Sequence, residues 1–282
     1  MSVHNVSADK EGFGMWLAFF FQAILALVAA QPAAACGLES DCRIGDRNYR
    51  IQWPEGAREP FGAIVYAHGY RGSAAGVMRN RSLRRMAREE GLALIALDSL
   101  DHDWVIPHAP GHAGTDGSRE FAYVAAVLDD AARRFALDRD RVMGAGFSSG
   151  GMLMWNLACE MPGRFAGIVA VAGTFWQRPP VRCATPVASL VHIHGETDPT
   201  VPLGGRAIRE TWQGDVGEVL SMYRRVGGFR ASEPAQIEGM TCQGWRNGAG
   251  EILDFCLHPG GHSLRTSYIR AGLDRLRAAG RM

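Results

Sequence analysis

The stretch Gly146-Phe147-Ser148-Ser149-Gly150-Gly151 constrains this chain more than any other. It lies between an apolar run, Arg141 to Gly146, that reads as a strand, and a segment from Ser149 to Glu160 that reads as a helix and stops before Pro162. A serine in G-x-S-x-G spacing at a strand-to-helix junction sits in a sharp turn that lifts its side chain above the sheet. The flanking glycines remove the Cβ atoms that would collide in that turn. Alone the pattern arises by chance, but in this context it marks Ser148 as a candidate nucleophile.

The rest of the chain supplies a sheet for such a turn. Apolar runs at Tyr49 to Trp53, Ala63 to Ala67, Leu92 to Asp98, Gly167 to Ala172, Ser189 to His194 and Ile252 to Leu257 read as further strands. Most are continuously apolar, as strands covered on both faces are. Between them Ser118 to Phe135 carries Phe121, Val124, Ala125, Leu128, Ala132 and Phe135 on one helical stripe, and Leu264 to Ala279 carries Ile269, Leu273 and Leu276. The alternation predicts an α/β fold, a mostly parallel, doubly wound sheet with helices on both faces. No linker or second composition block interrupts it, so one domain is expected over 36–282.

A serine hydroxyl attacks only when a base takes its proton, and that base needs an acid to orient it. In chains with this turn the order is Ser, acid, His. His262 follows the last strand through the flexible Pro259-Gly260-Gly261, whereas its rival His258 sits at the strand end. His192 and His194 lie within an apolar strand and read as core or supporting groups. For the acid, Asp198 in Gly195-Glu196-Thr197-Asp198-Pro199 occupies a fixed turn after a strand, with Glu196 and Asp254 as competitors. An oxyanion hole is expected from the backbone N–H groups of Tyr70, in His68-Gly69-Tyr70-Arg71-Gly72, and of Ser149, with the His68 side chain bracing that loop.

The substrate end is less sharply written. The loop Ser99 to Gly117 holds Asp101, His102, Asp103, Trp104, His108 and His112. Their spacing matches no closed zinc motif, so no metal and no cofactor are expected. Trp104 is a candidate to line the substrate, and so are Phe175 and Trp176, for which core or rim packing is an equal reading.

Composition bounds the partners. With 30 Lys+Arg against 29 Asp+Glu the formal net charge is +1, which offers no electrostatic footprint for nucleic acid. Met15 to Ala30 is an apolar run followed by Pro32 and three alanines, and it reads as a signal peptide over 1–35 cleaved before Cys36, with an uncleaved anchor as the alternative. Export to the periplasm or medium, with no stable membrane span in the mature protein, is the expectation. The six cysteines fall as three close pairs, Cys36 with Cys42, Cys159 with Cys183 and Cys242 with Cys256. Six cysteines permit many connectivities; the local pairs are expected, against a buried free thiol at Cys159.

The combination His68-Gly69-Tyr70, Gly146-Phe147-Ser148-Ser149-Gly150-Gly151, His194-Gly195-Glu196-Thr197-Asp198-Pro199 and Gly260-Gly261-His262 resembles the secreted polyhydroxybutyrate depolymerase and feruloyl esterase family of α/β-hydrolases. Cys36, Cys42, Arg47 and Tyr49 through Pro54 resemble that family's entry segment. The resemblance implies an α/β-hydrolase fold without a large lid, a Ser148-Asp198-His262 triad and an oxyanion position at Tyr70. It implies hydrolysis of short hydroxyalkanoate oligomers, hydroxycinnamoyl or acetyl esters. The chain departs from polymer depolymerases in lacking a linker and a polymer-adsorbing domain, which argues against solid polymer as substrate. Two rival readings remain: a prolyl-oligopeptidase-like serine peptidase, and a non-catalytic binding protein on the same fold.

Overall fold

The computed structural model describes residues 36–54, 56, 60–112, 114–237 and 239–282. The expected leader at 1–35 lies outside the described residues. Along the described chain run strands β1 (Cys42–Ile44), β2 (Arg47–Gln52), β3 (Phe61–Ala67), β4 (Ala93–Leu97), β5 (Leu137–Phe147), β6 (Gly167–Val171), β7 (Leu190–Gly195), β8 (Arg206–Ile208), β9 (Thr211–Gln213), β10 (Arg230–Ser232), β11 (Thr241–Arg246) and β12 (Ile252–His258). The helices are α1 (Ala74–Arg79), α2 (Arg81–Glu89), α3 (Ser118–Arg134), α4 (Ser149–Glu160), α5 (Val216–Gly227) and α6 (Thr266–Ala278).

Ten strands form one sheet in the order β1-β2-β4-β3-β5-β6-β7-β12-β11-β10. Its centre, from β4 to β12, is parallel, and antiparallel pairs close both edges. This is the mostly parallel, doubly wound sheet expected from the alternation, and it agrees with the α/β-hydrolase fold that the resemblance implies. Every residue of β3, β4, β6 and β7 is buried, because helices cover both faces. Alternation sends Ala63, Val65 and Ala67 of β3 into one core with α3, α4 and α5, and Ile64 and Tyr66 into another with α1, α2 and α6.

Several elements are absent from the sequence reading. The short helices α1 and α2 start on side-chain caps: Ser73 Oγ accepts from the N–H of Gly76 at 3.1 Å, and Asn80 Oδ1 from Leu83 at 3.1 Å. Helix α5 starts at Asp215, which caps Glu218 at 2.9 Å, and ends at Gly228 in the left-handed conformation.

All six cysteines are paired, Cys36–Cys42, Cys159–Cys183 and Cys242–Cys256, so Cys159 is not a free thiol. Cys242 and Cys256 face each other directly across β11 and β12.

Candidate active site

Strand β5 ends and α4 begins at Ser148, whose φ of 58° and ψ of −122° place a non-glycine residue in a sparsely populated region. Its N–H donates to the Val171 carbonyl at 2.9 Å, tying the turn to β6. The glycines are required by contact. A Cβ at Gly146 would lie 2.3 Å from the Gly150 carbonyl oxygen, and one at Gly150 would lie 2.1 Å from that of Ala67 on β3. Helix α4 therefore approaches the ends of β3 and β5 more closely than any side chain allows, which pushes the serine outward.

His262 stands over this turn. Its Nε2 is 2.9 Å from Ser148 Oγ, and its Nδ1 is 2.7 Å from Asp198 Oδ2. The carboxylate accepts the Nδ1 proton, which leaves Nε2 as acceptor for the serine hydroxyl. Asp198 is buried, and its other oxygen accepts from the N–H groups of Thr200 at 2.8 Å and Val201 at 2.9 Å. The acid turn and the histidine loop are stitched by Glu196 N–H to the His258 carbonyl and Thr197 N–H to that of Gly260. Gly195 makes this approach possible, because a Cβ there would meet the Gly260 oxygen at 2.3 Å. The ring of Phe147 packs on His262 with centroids 4.7 Å apart.

The competing residues are occupied elsewhere. His258 stacks on Tyr268, and burial lowers its pKa. Asp254 is ion-paired with Arg275 at 2.8 Å, and Glu196 is exposed. His192 and His194 are fully buried below the acid turn and form a line. Trp155 Nε1 donates to His192 Nδ1 at 3.2 Å, His192 Nε2 meets His194 Nδ1 at 2.9 Å, and His194 Nε2 meets the Val201 carbonyl at 2.7 Å. This sequence of bonds holds each imidazole neutral with its proton on Nε2. Burial pushes the pKa of both below the ordinary histidine value.

The loop carrying Tyr70 lies beside the serine. The N–H of Tyr70 has no hydrogen-bond acceptor among the described residues, and that of Ser149 heads α4, where no carbonyl lies one turn earlier. His68 is buried, with Nδ1 2.8 Å from the Gly69 carbonyl and Nε2 3.7 Å from Asp98 Oδ1. Asp98 itself accepts from the Ala74 N–H; burial raises its pKa, but the nearby His68 imidazole, the Ala74 N–H and the Arg47 charge together outweigh that and hold it below the ordinary value.

Two of the expected substrate-lining residues are placed differently. Trp104 is fully buried, with its Nε1 donating to the His68 carbonyl at 2.8 Å and its ring against His68, so it braces the loop from behind. Phe175 is buried against Trp155. Trp176 does line a cavity of about 300 Å³, together with Tyr70, Ser148, Ser149, Met152 and Pro110. Ser149 Oγ donates to Asp103 Oδ1 in this cavity at 2.9 Å.

The hairpin β8–β9, which the sequence reading does not contain, adds Arg206, Ile208, Arg209 and Gln213 to this lining, with Gln213 bridged to Trp176. Its strands are three residues each, too short for periodicity to register. Gly214 N–H donates to the Phe175 carbonyl and Gln177 N–H to that of Trp212, docking the hairpin beside β6, and Glu210 Oε1 accepts from Gly111 N–H at 2.8 Å. Among the described residues, no group of three or more His, Cys, Asp or Glu side chains is placed to hold a metal ion, and no helix is long and apolar enough to cross a membrane.

The chain resembles known proteins in sequence and in fold. A family model described as phospholipase/carboxylesterase matches residues 115–214, a span that contains Ser148 and Asp198. A protein described as an esterase, NocK, from Nocardia uniformis subsp. tsuyamanensis is 28% identical over 232 residues, covering 74% of this chain; the chain spans 66% of that protein's length. Feruloyl esterase C of Emericella nidulans is 25% identical over 243 residues, covering 82% of this chain and 81% of its own length. Among solved structures, an acetyl xylan esterase from Aspergillus awamori superposes with a TM-score of 0.61 at 14% identity, over 84% of this chain and 95% of that one. A Bacillus cereus carboxylesterase gives 0.57 at 14%, over 83% and 95%. At these identities the structural likeness speaks for the fold. The fold is that of the α/β-hydrolases, and the proteins that the chain resembles in sequence are described as esterases.

Proposed function

We propose that this chain is an exported serine esterase that works through an acyl-enzyme, with residues 36–282 as its single catalytic domain and 1–35 as a cleaved signal peptide. The observation that carries the reading is the unbroken line of hydrogen bonds from Asp198 through His262 to Ser148. Ser148 Oγ bonds to the ester carbonyl carbon while its proton passes to His262 Nε2. The carbonyl oxygen becomes an oxyanion that the N–H groups of Tyr70 and Ser149 receive, and each such donor contributes about 3 to 4 kcal/mol to the transition state in hydrolases of this kind. His262 then protonates the leaving alcohol as the C–O bond breaks. Water repeats the sequence on the acyl-enzyme and frees the acid. Asp198 stays ionised throughout, holding the Nδ1–H tautomer and stabilising the imidazolium.

The cavity sits near the small end of ligand sites. With Met152, Pro110, Ile208 and Trp176 on its walls it suits soluble esters with a short or aromatic acyl group, such as hydroxyalkanoate oligomers, hydroxycinnamoyl esters or acetyl esters. The relatives named feruloyl esterase support the second of these. Three disulfides support an oxidising compartment, in keeping with secretion or a periplasmic location.

Labelling with a fluorophosphonate, followed by peptide mass spectrometry, tests the assignment. The expected result is one adduct, on Ser148. An unlabelled folded protein, or an adduct on another residue with Ser148 unmodified, contradicts it.

A further inference from the structure

We infer that the ester this site hydrolyses carries a carboxylate on its acyl or alcohol part, received by Arg206 and Arg209; the inference rests on the esterase reading above. Both arginines line the cavity that holds Ser148. In the register of the hairpin Arg206 pairs with Gln213 and Ile208 with Thr211, so Arg206 and Ile208 share one strand face, and both belong to the cavity wall. Arg206 Nε donates to Gln213 Oε1 at 3.1 Å, and Gln213 is buried, so the guanidinium is held at its neck while both terminal nitrogens stay free to donate. Arg209 occupies the turn of the hairpin at a φ of 50°.

Charge in the cavity is not balanced. Among the described residues no carboxylate lies within 4.0 Å of Arg206 or Arg209, whereas Arg47, Arg275 and Arg277 each have one. Glu210, next in sequence to Arg209 and within reach of its charge, accepts from the N–H of Gly111 and is not part of the cavity lining. Among the described residues the wall holds a single carboxylate, Asp103, and its Oδ1 is bound by Ser149 Oγ and the Trp104 N–H. An anionic group is therefore repelled from the Asp103 side and drawn to the hairpin, where two planar guanidinium forks offer paired donors of the kind that carboxylates accept. A cavity of about 300 Å³ brings any small ester attacked by Ser148 within the same enclosure as these arginines.

The test compares matched esters that differ only in carboxylate against carboxamide. On the acyl side these are the mono-para-nitrophenyl ester of adipic acid and that of its carboxamide; on the alcohol side they are acetyl-lactate and acetyl-lactamide. The ratio of kcat/KM within each pair is the readout, which cancels any difference in active fraction between protein preparations. In the wild type the expected ratio favours the carboxylate by about tenfold in one of the two pairs, equivalent to one charge-assisted contact. The double variant Arg206→Gln/Arg209→Gln brings that ratio to near one, Arg225→Gln on α5 leaves it in place, and salt near 1 M erodes it. Ratios at or below one in both pairs, or a preference that survives the double variant, overturn the inference. Absence of Ser148-dependent hydrolysis with all four esters and with simple para-nitrophenyl esters instead brings down the esterase reading and the inference with it.

Discussion

Trp104 Nε1 donates to the backbone carbonyl of His68 at 2.8 Å, with the indole wholly buried. This bond fixes the loop that presents the Tyr70 N–H from its rear side. The substitution Trp104→Phe keeps most of the packing and leaves that carbonyl without its donor, at a cost of about 1 to 3 kcal/mol. The expected result is a lower thermal midpoint and a reduced kcat that is the same for short and long acyl esters. A change confined to KM that tracks acyl size would return Trp104 to the substrate wall.

Strain at Ser148 opposes stability. Glycine is at ease at positive φ, so Ser148→Gly relieves about 1 kcal/mol or more and raises the thermal midpoint while abolishing esterase activity. Calorimetry of the two proteins side by side reads the effect; a lower midpoint for the glycine variant would contradict it.

Close approach at the turn is absolute. Gly150→Ala drives a methyl to 2.1 Å from a backbone oxygen, and a loss of several kcal/mol, or no soluble protein, is expected. Gly163→Ala, where nothing lies within 4 Å, changes stability by no more than about 0.5 kcal/mol. Urea unfolding of both variants checks the contrast, which fails if the two cost the same.

The buried line of imidazoles makes stability depend on pH. Burial holds His192 and His194 below the ordinary value of 6.5. Above about pH 6.5 neither folded nor unfolded chain protonates them; below it the unfolded chain takes up protons that the folded chain refuses. Their contribution is thus complete above about pH 6.5 and lost as pH falls. In His194→Gln one such group is gone, and its unfolding free energy should converge on the wild-type value by up to about 1.4 kcal/mol per pH unit below pH 6.5. Parallel curves for the two proteins would refute this.

Much of this organisation is legible in the residues, and the reasons for the exceptions are physical. Continuous apolar runs announce β3, β4, β6 and β7 because both faces of those strands are covered. Ser148, Asp198 and His262 each follow a strand of the parallel sheet, so their order along the chain already carries them to one edge. Asp215 with Glu218 and Gly228 bracket α5 with cap signals that a reading focused on apolar stripes passes over. The hairpin β8–β9 has no such local mark: its position is set by bonds to 175–177 and Gly111, distant in sequence. Trp104 misleads for a related reason, since an indole between two loops packs inward or outward according to partners far along the chain.

The central claim is that Ser148 performs the chemistry, and the most direct measurement is hydrolysis of para-nitrophenyl acetate and butyrate by residues 36–282, made under oxidising conditions, beside folded Ser148→Ala. The account predicts turnover by the wild type and a rate at the uncatalysed background for the variant. An inactive folded wild type, or full activity in Ser148→Ala, would contradict it.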